Sequence, residues 1–159
     1  LDHDFSVIAD KVVDIPPEEA DPLADVLDHE NLSLLLLSTP TSDDARLKVI
    51  ARRTSGFAYY VSVAGVTGVK EADAATVAPH VARVRAAGGL PVCVGFGIKT
   101  PERAEAVARV ADGVVVGSAL VEEIAASLAM NETVTTRVLS KVESLAKAVR
   151  LARVASPTV

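Results

Sequence analysis

The residues of this sequence best suited to chemistry are two glycine-bearing turns, Gly95-Phe96-Gly97 and Gly117-Ser118. A bound phosphate needs converging backbone N–H groups and a main chain that can approach closely, and glycine permits both. Gly117-Ser118 runs straight into a stretch of helical character, so its amides would lie where a helix dipole attracts an anion, and Ser118 adds a hydroxyl donor. Neither turn contains a Lys or Arg, so the grip would rely on backbone amides. Taken singly, each turn also reads as an ordinary bend or helix start. Their occurrence after two successive strand-like runs favours the phosphate reading, because α/β barrels commonly hold phosphate in the loops after their last two strands.

Other chemically capable side chains are scattered. Asp14 falls at the carboxyl end of a strand-like run, where it is either a site residue or a turn-capping aspartate. Cys93 sits inside an apolar run and reads as buried and inert. His3, His29 and His80 show no metal-ligand spacing, so no metal site is expected.

Stepping from these residues to what must hold them, short β-branched or leucine runs alternate with amphipathic stretches, the pattern of repeated βα units and a parallel sheet. Strands are expected at Lys11 to Ile15, Ser33 to Ser38, Phe57 to Ser62, Pro91 to Gly95 and Gly113 to Val116. Helices are expected from Pro17 to about Asp28 and, capped by Thr41-Ser42-Asp43-Asp44, to about Arg53. Two more run from Ala74 to Ala87 and from Thr100-Pro101 to near Val110, and a fifth from Ala119 to about Leu128. A last helix, Glu132 to about Arg153, would present Val134, Val138, Val142, Leu145 and Val149 on one face. Val63 to Asp73, with two glycines and no period, reads as a long loop of the kind that carries function. Leu1 to Asp10 show no clear period, and the tail from Ser156 reads as frayed.

Bulk properties narrow the function classes. In 159 residues, 50% are apolar but only three are Phe and two Tyr, so the core must be built from Val, Leu, Ile and Ala. That length suits one domain spanning 1–159. A net charge of −5 argues against nucleic acid. The longest apolar runs, such as Leu34 to Leu37, are far too short for a membrane span. One cysteine and no leader-like start point to a reducing compartment, the cytoplasm. The chain starts at Leu1 and its one methionine is Met130, which is not expected of a whole translated reading frame.

Gly56-Phe57-Ala58-Tyr59-Tyr60-Val61-Ser62-Val63-Ala64-Gly65-Val66-Thr67-Gly68 resembles the sixth strand and mobile sixth loop of the tryptophan synthase alpha chain family. The resemblance continues through Pro91 to Ile98 and Asp112 to Val121. Upstream, Val13-Asp14-Ile15-Pro16-Pro17-Glu18-Glu19-Ala20 looks like the family's fourth strand and turn, and Pro40 to Asp44 like the turn after its fifth. The matches keep the family's order from about Val12 to Arg153.

The resemblance implies a partial (β/α)8 TIM barrel, about five βα units plus a C-terminal helix, lacking the first three units. It implies a carbon-carbon lyase of tryptophan biosynthesis that cleaves indole-3-glycerol phosphate to indole and glyceraldehyde 3-phosphate. Gly68, Phe96, Gly97, Gly117 and Ser118 would bind the phosphate; Tyr59 would stand beside the indole, and Thr67 would belong to a lid. No cofactor is implied here, since pyridoxal phosphate would belong to a partner beta chain. The family's catalytic acids come from loops after the second and third strands, so this chain alone is expected to lack activity. Length agrees, because such barrels usually need about 250 residues. Asp21-Pro22-Leu23-Ala24-Asp25 looks superficially like a family segment bearing one acid, but it falls on the helix after the first strand, where Asp25 would face solvent. Val63 stands where some members carry arginine. Two other readings stay open: a phosphate-binding barrel isomerase or epimerase using Asp14, and a non-catalytic fragment that self-associates to cover its sheet edges.

Overall fold

The computed structural model describes residues 19–62, 74–95 and 97–154. The expected strand at Lys11 to Ile15 with Asp14, the loop from Val63 to Asp73, and Phe96 lie outside the described residues. The elements run in the order α1 (Asp21–His29), β1 (Leu37–Ser38), α2 (Asp44–Arg53), β2 (Ala58–Val61), α3 (Ala74–Gly88), β3 (Val92–Gly95), α4 (Pro101–Ala108), β4 (Gly113–Val115), α5 (Ser118–Ala129) and α6 (Val134–Val154).

The four strands are parallel and neighbour one another in sequence order. Strand period two then decides what each face carries. Ser38, Tyr60, Val94 and Val114 share one register row, and the first three are buried. Tyr60 and Val94, with Ala58 and Val92, meet Leu47 of α2, Val77, Val81 and Val84 of α3, and Ala104 and Val107 of α4 in one core, with Val114 packed at its edge. The alternate row, Leu37, Tyr59, Cys93 and Gly113, faces away from that core. Leu37 is 57% exposed. Among the described residues, helices therefore cover one face of a sequentially ordered parallel sheet. That is a barrel sector, since a doubly wound sheet would carry helices on both faces.

Local chemistry explains the boundaries. Asp43 caps α2 by accepting from the Arg46 N–H at 2.8 Å, and Thr100 caps α4 by accepting from the Arg103 N–H, with Pro101 behind it. The second expected strand shortens to Leu37–Ser38 because the Leu34 and Leu36 N–H groups are taken by Ser55 Oγ at 3.2 Å and Thr54 Oγ1 at 3.3 Å. That stretch docks on the turn between α2 and β2 instead of pairing with a strand. α6 begins later than Glu132 because Asn131 adopts a left-handed φ of 55° and closes the end of α5, the Glu132 N–H bonding Ser127 O at 3.0 Å. Its packing face carries the expected Leu145, which is buried, and Val149, which packs against the core, with Ala148 and Ala152 buried beside them, while Val142 is 40% exposed. Alanines at these positions let α6 lie close against the small residues of α4.

Candidate functional site

The carboxyl ends of β2, β3 and β4 converge on a pocket of about 170 Å3 lined by Tyr59, Gly97, Ile98, Val115, Gly117 and Ser118. At about 30 Å3 per water in the liquid, that is room for roughly five water-sized groups, a phosphate rather than a whole drug-sized ligand. Larger hollows exist, such as a groove of about 420 Å3 bordered by Val114, Val142 and Val149, but its lining is apolar apart from Arg150 and offers no converging donors.

The glycines of this pocket serve different physical ends. Gly97 has φ 74°, a conformation that glycine adopts freely and side chains resist. Gly95 is buried beneath the Tyr59 ring: a Cβ there would overlap the Tyr59 hydroxyl oxygen and approach Cζ at 2.6 Å. Gly95 therefore makes room for Tyr59 rather than for a ligand. At Gly117 a Cβ would meet nothing within 4 Å among the described residues, which leave open space beside its backbone. Gly117 is the N-cap residue of α5 and offers no side-chain cap. The first N–H groups of a helix have no intrahelical acceptor, so this uncapped end leaves amides for an anion at the pocket wall.

Tyr59 is half-buried, and burial first, then the neighbouring Cys93, pushes its phenol above the usual range. It stays a neutral hydroxyl throughout the physiological range. At the same strand ends Ser62 ties β2 to β3: its N–H and its Oγ both donate to Gly95 O, at 3.1 and 2.9 Å. This bond holds the last described residue before the long loop.

Of the sequence-derived site residues, Tyr59, Gly97, Gly117 and Ser118 come together, while Thr67, Gly68 and Phe96 lie outside the described residues. Sequence reading missed Ile98 and Val115, whose apolar types gave no chemical signal. It also passed over Lys99, two residues after Gly97, whose ammonium donates to Glu122 of α5. Asp25 is exposed on α1, as expected. Cys93 departs from the buried placement read for it: it is half-buried on the face that Tyr59 occupies, with Gly113 so close that a Cβ there would lie 2.5 Å from its Sγ. Burial, with the negative charge of Asp112, raises its thiol, which keeps it protonated and unreactive despite Arg153. His80 stacks on Tyr60 with centroids 5.5 Å apart, and no metal-holding cluster occurs among the described residues. Nor is any described helix long and apolar enough to cross a membrane.

A family model described as "Tryptophan synthase alpha chain" matches residues 6–150. The sequence is 77% identical over 142 residues to the tryptophan synthase alpha chain of Phenylobacterium zucineum (strain HLK1), covering 89% of this chain and 51% of that protein. It is 66% identical over 143 residues to that of Caulobacter vibrioides (strain NA1000 / CB15N), covering 90% and 52%. The fold is similar to the crystal structure of tryptophan synthase subunit alpha from Legionella pneumophila str. Paris, with TM-score 0.76 and 35% identity over 87% of this chain and 50% of that one. The chain spans about half the length of these relatives.

Proposed function

This chain belongs to the tryptophan synthase alpha chain family, and on that premise we propose that it is the phosphate-gripping half of a lyase that cleaves indole-3-glycerol phosphate to indole and glyceraldehyde 3-phosphate. The supporting observation is the pocket itself, where Tyr59, Gly97, Gly117 and Ser118 meet from three strand ends. The Gly97 and Gly117–Ser118 amides hold the phosphate, and the Ser118 hydroxyl adds a donor. Gly68 and Phe96 complete the grip by family resemblance, and Thr67 belongs to the lid. The neutral Tyr59 phenol stands beside the indole, where a hydroxyl can orient substrate without adding charge.

Carbon–carbon cleavage of this kind needs a general acid and base at the indole and glycerol ends. On the family pattern those carboxylates come from the missing second and third units, so residues 1–159 form a single unit that binds glycerol-phosphate-like ligands weakly and does not turn substrate over. No cofactor acts in this chain; pyridoxal phosphate belongs to the partner beta chain, the expected cytoplasmic partner of the full-length protein. Self-association of the chain to cover its open sheet edges follows the same logic, since β1 and β4 stand at the ends of the strand order among the described residues. The test is calorimetric titration with glycerol 3-phosphate beside an indole-release assay on indole-3-glycerol phosphate. Weak saturable binding without indole is the expected outcome. Indole release by this polypeptide alone would overturn the assignment of the acids to the missing units.

A further inference from the structure

The two turns of the pocket belong to different βα units. Their strands pair as far as Gly95 opposite Val115. Beyond that pair one chain leads through Gly97 and Lys99 to the cap of α4, and the other through Gly117 into α5. On its outer side α5 docks on α6, where Arg137 bonds Glu123 at 2.5 Å. On its other side Glu122 accepts from the Lys99 ammonium, so the turn bearing Gly97 is tied to the helix whose N-terminus is Gly117–Ser118. Glu122 lies four residues after Ser118, on the same face one turn along. Adjacent glutamates about 100° apart on the helix thus anchor α5 in two directions.

We infer that Lys99 and Glu122 are positioning residues, a strap that sets the separation between the Gly97 amide and the α5 N-terminus and so tunes the affinity for phosphate. The inference rests on the phosphate reading above. With its charge met by Glu122, Lys99 acts on the pocket through geometry, and the amides remain the ligands. Its side chain is 52% exposed and that of Glu122 57%, so solvent screening keeps the effect modest.

Calorimetric titration of glycerol 3-phosphate into the chain, Lys99→Met, Glu122→Gln and the charge swap Lys99→Glu/Glu122→Lys tests this, with thermal unfolding and amide NMR spectra of each ligand-free protein. Each single variant should bind about two- to five-fold more weakly, with the swap close to the parent. Melting temperatures should move by no more than a few degrees. The ligand-free Gly97 and Gly117 amide signals should shift in both single variants and return in the swap. Unmoved amides with parent-like binding would overturn the strap. So would weaker binding in Lys99→Met paired with tighter binding in Glu122→Gln, which would make Lys99 a direct phosphate cation. Should the parent not bind glycerol 3-phosphate, the phosphate reading falls, and the amide signals still decide the strap.

Discussion

The two ends of the strands treat their polar groups in opposite ways. At the amino ends Asp112 is satisfied from several elements: its carboxylate accepts from the Val92 N–H at 2.8 Å and from Arg85 of α3 at 2.7 Å, its own N–H bonds Val92 O at 2.9 Å, and its carbonyl accepts from Arg153 of α6. At the carboxyl ends α5 starts without a side-chain cap, Gly97 holds a left-handed turn, and open space adjoins Gly117. The lesson is an accounting one. Donors and acceptors at the amino ends are spent on one another and hold the barrel sector together; at the carboxyl ends Ser62 and the caps Asp43 and Thr100 are satisfied too, but the first amides of α5 are left for a ligand. Substitutions at the two ends should therefore separate, one set moving stability and the other moving binding.

The largest effect is expected at Gly97. A β-branched side chain at φ 74° forces the turn out of its conformation, so Gly97→Val should weaken glycerol 3-phosphate binding at least about ten-fold, the left-handed penalty alone being roughly 1–2 kcal/mol. Calorimetry checks the affinity. If binding persists, the amide of this turn is not part of the grip.

Gly95 tests whether a carboxyl-end glycine can serve packing instead. Gly95→Ala collides with the Tyr59 hydroxyl, an overpacking that typically costs about 1–3 kcal/mol. Urea unfolding should show this loss and its partial recovery in Gly95→Ala/Tyr59→Leu. Additive losses in the double variant would mean that Tyr59 does not press on this glycine.

Much of the architecture was legible because it rests on local rules: short β-branched runs placed β2 and β3 within a residue of their ends, and Asp43 and Thr100 announced α2 and α4 as N-caps. What could not be read is what depends on a distant competitor. Leu34 and Leu36 have strand-forming neighbours in sequence, yet Ser55 and Thr54 capture their N–H groups first. In α6, valine and leucine spacing found Leu145 and Val149 on the packing face, but it did not mark Ala148 and Ala152, which are buried beside them, and it included the exposed Val142. The pocket was half legible. Glycine types marked Gly97 and Gly117, whereas the distinction between a packing glycine at Gly95 and a ligand-facing one at Gly117 exists only once Tyr59 is placed in space. Lys99 drew no notice because its partner, Glu122, lies in the next unit.

The amino-end counterpart is Asp112→Asn. Burial alone would raise its carboxyl, but the Val92 N–H, Arg85 and Arg153 outweigh that and hold it below the usual range. A carboxyl whose folded value lies below the unfolded value of about 3.9 contributes stability above that pH and loses it as pH falls through the folded value. The side chain is 42% exposed, so screening limits the ion-pair part. Asn keeps an acceptor for Val92 but removes the charge, and the expected loss is about 1 kcal/mol at pH 7. The gap between parent and variant in urea midpoints should shrink toward pH 3, while phosphate affinity at pH 7 stays within about two-fold of the parent. A gap that is constant with pH would remove the charge from the account and leave Asp112 an ordinary hydrogen-bond acceptor.

The smallest stability effect, and the sharpest separation of the two ends, belongs to Gly117→Ala. The added methyl touches no atom of the described residues within 4 Å and the residue's φ of −120° lies outside the left-handed region, so no described neighbour clashes with the change. Glycine is the better N-cap by a modest margin, which keeps the expected cost under about 1 kcal/mol. The space the methyl enters adjoins the pocket shared by Gly97, Ser118 and Tyr59. Binding of glycerol 3-phosphate should therefore fall by at least about three-fold, an energy of roughly 0.7 kcal/mol at the tenfold-per-1.4 conversion, with the urea midpoint nearly unchanged. Asp112→Asn should do the reverse. If instead Gly117→Ala lowers the urea midpoint as much as Gly95→Ala while affinity is preserved, then the open space at the start of α5 is a packing feature, and the division between a self-satisfied and a ligand-facing end of this sheet does not hold.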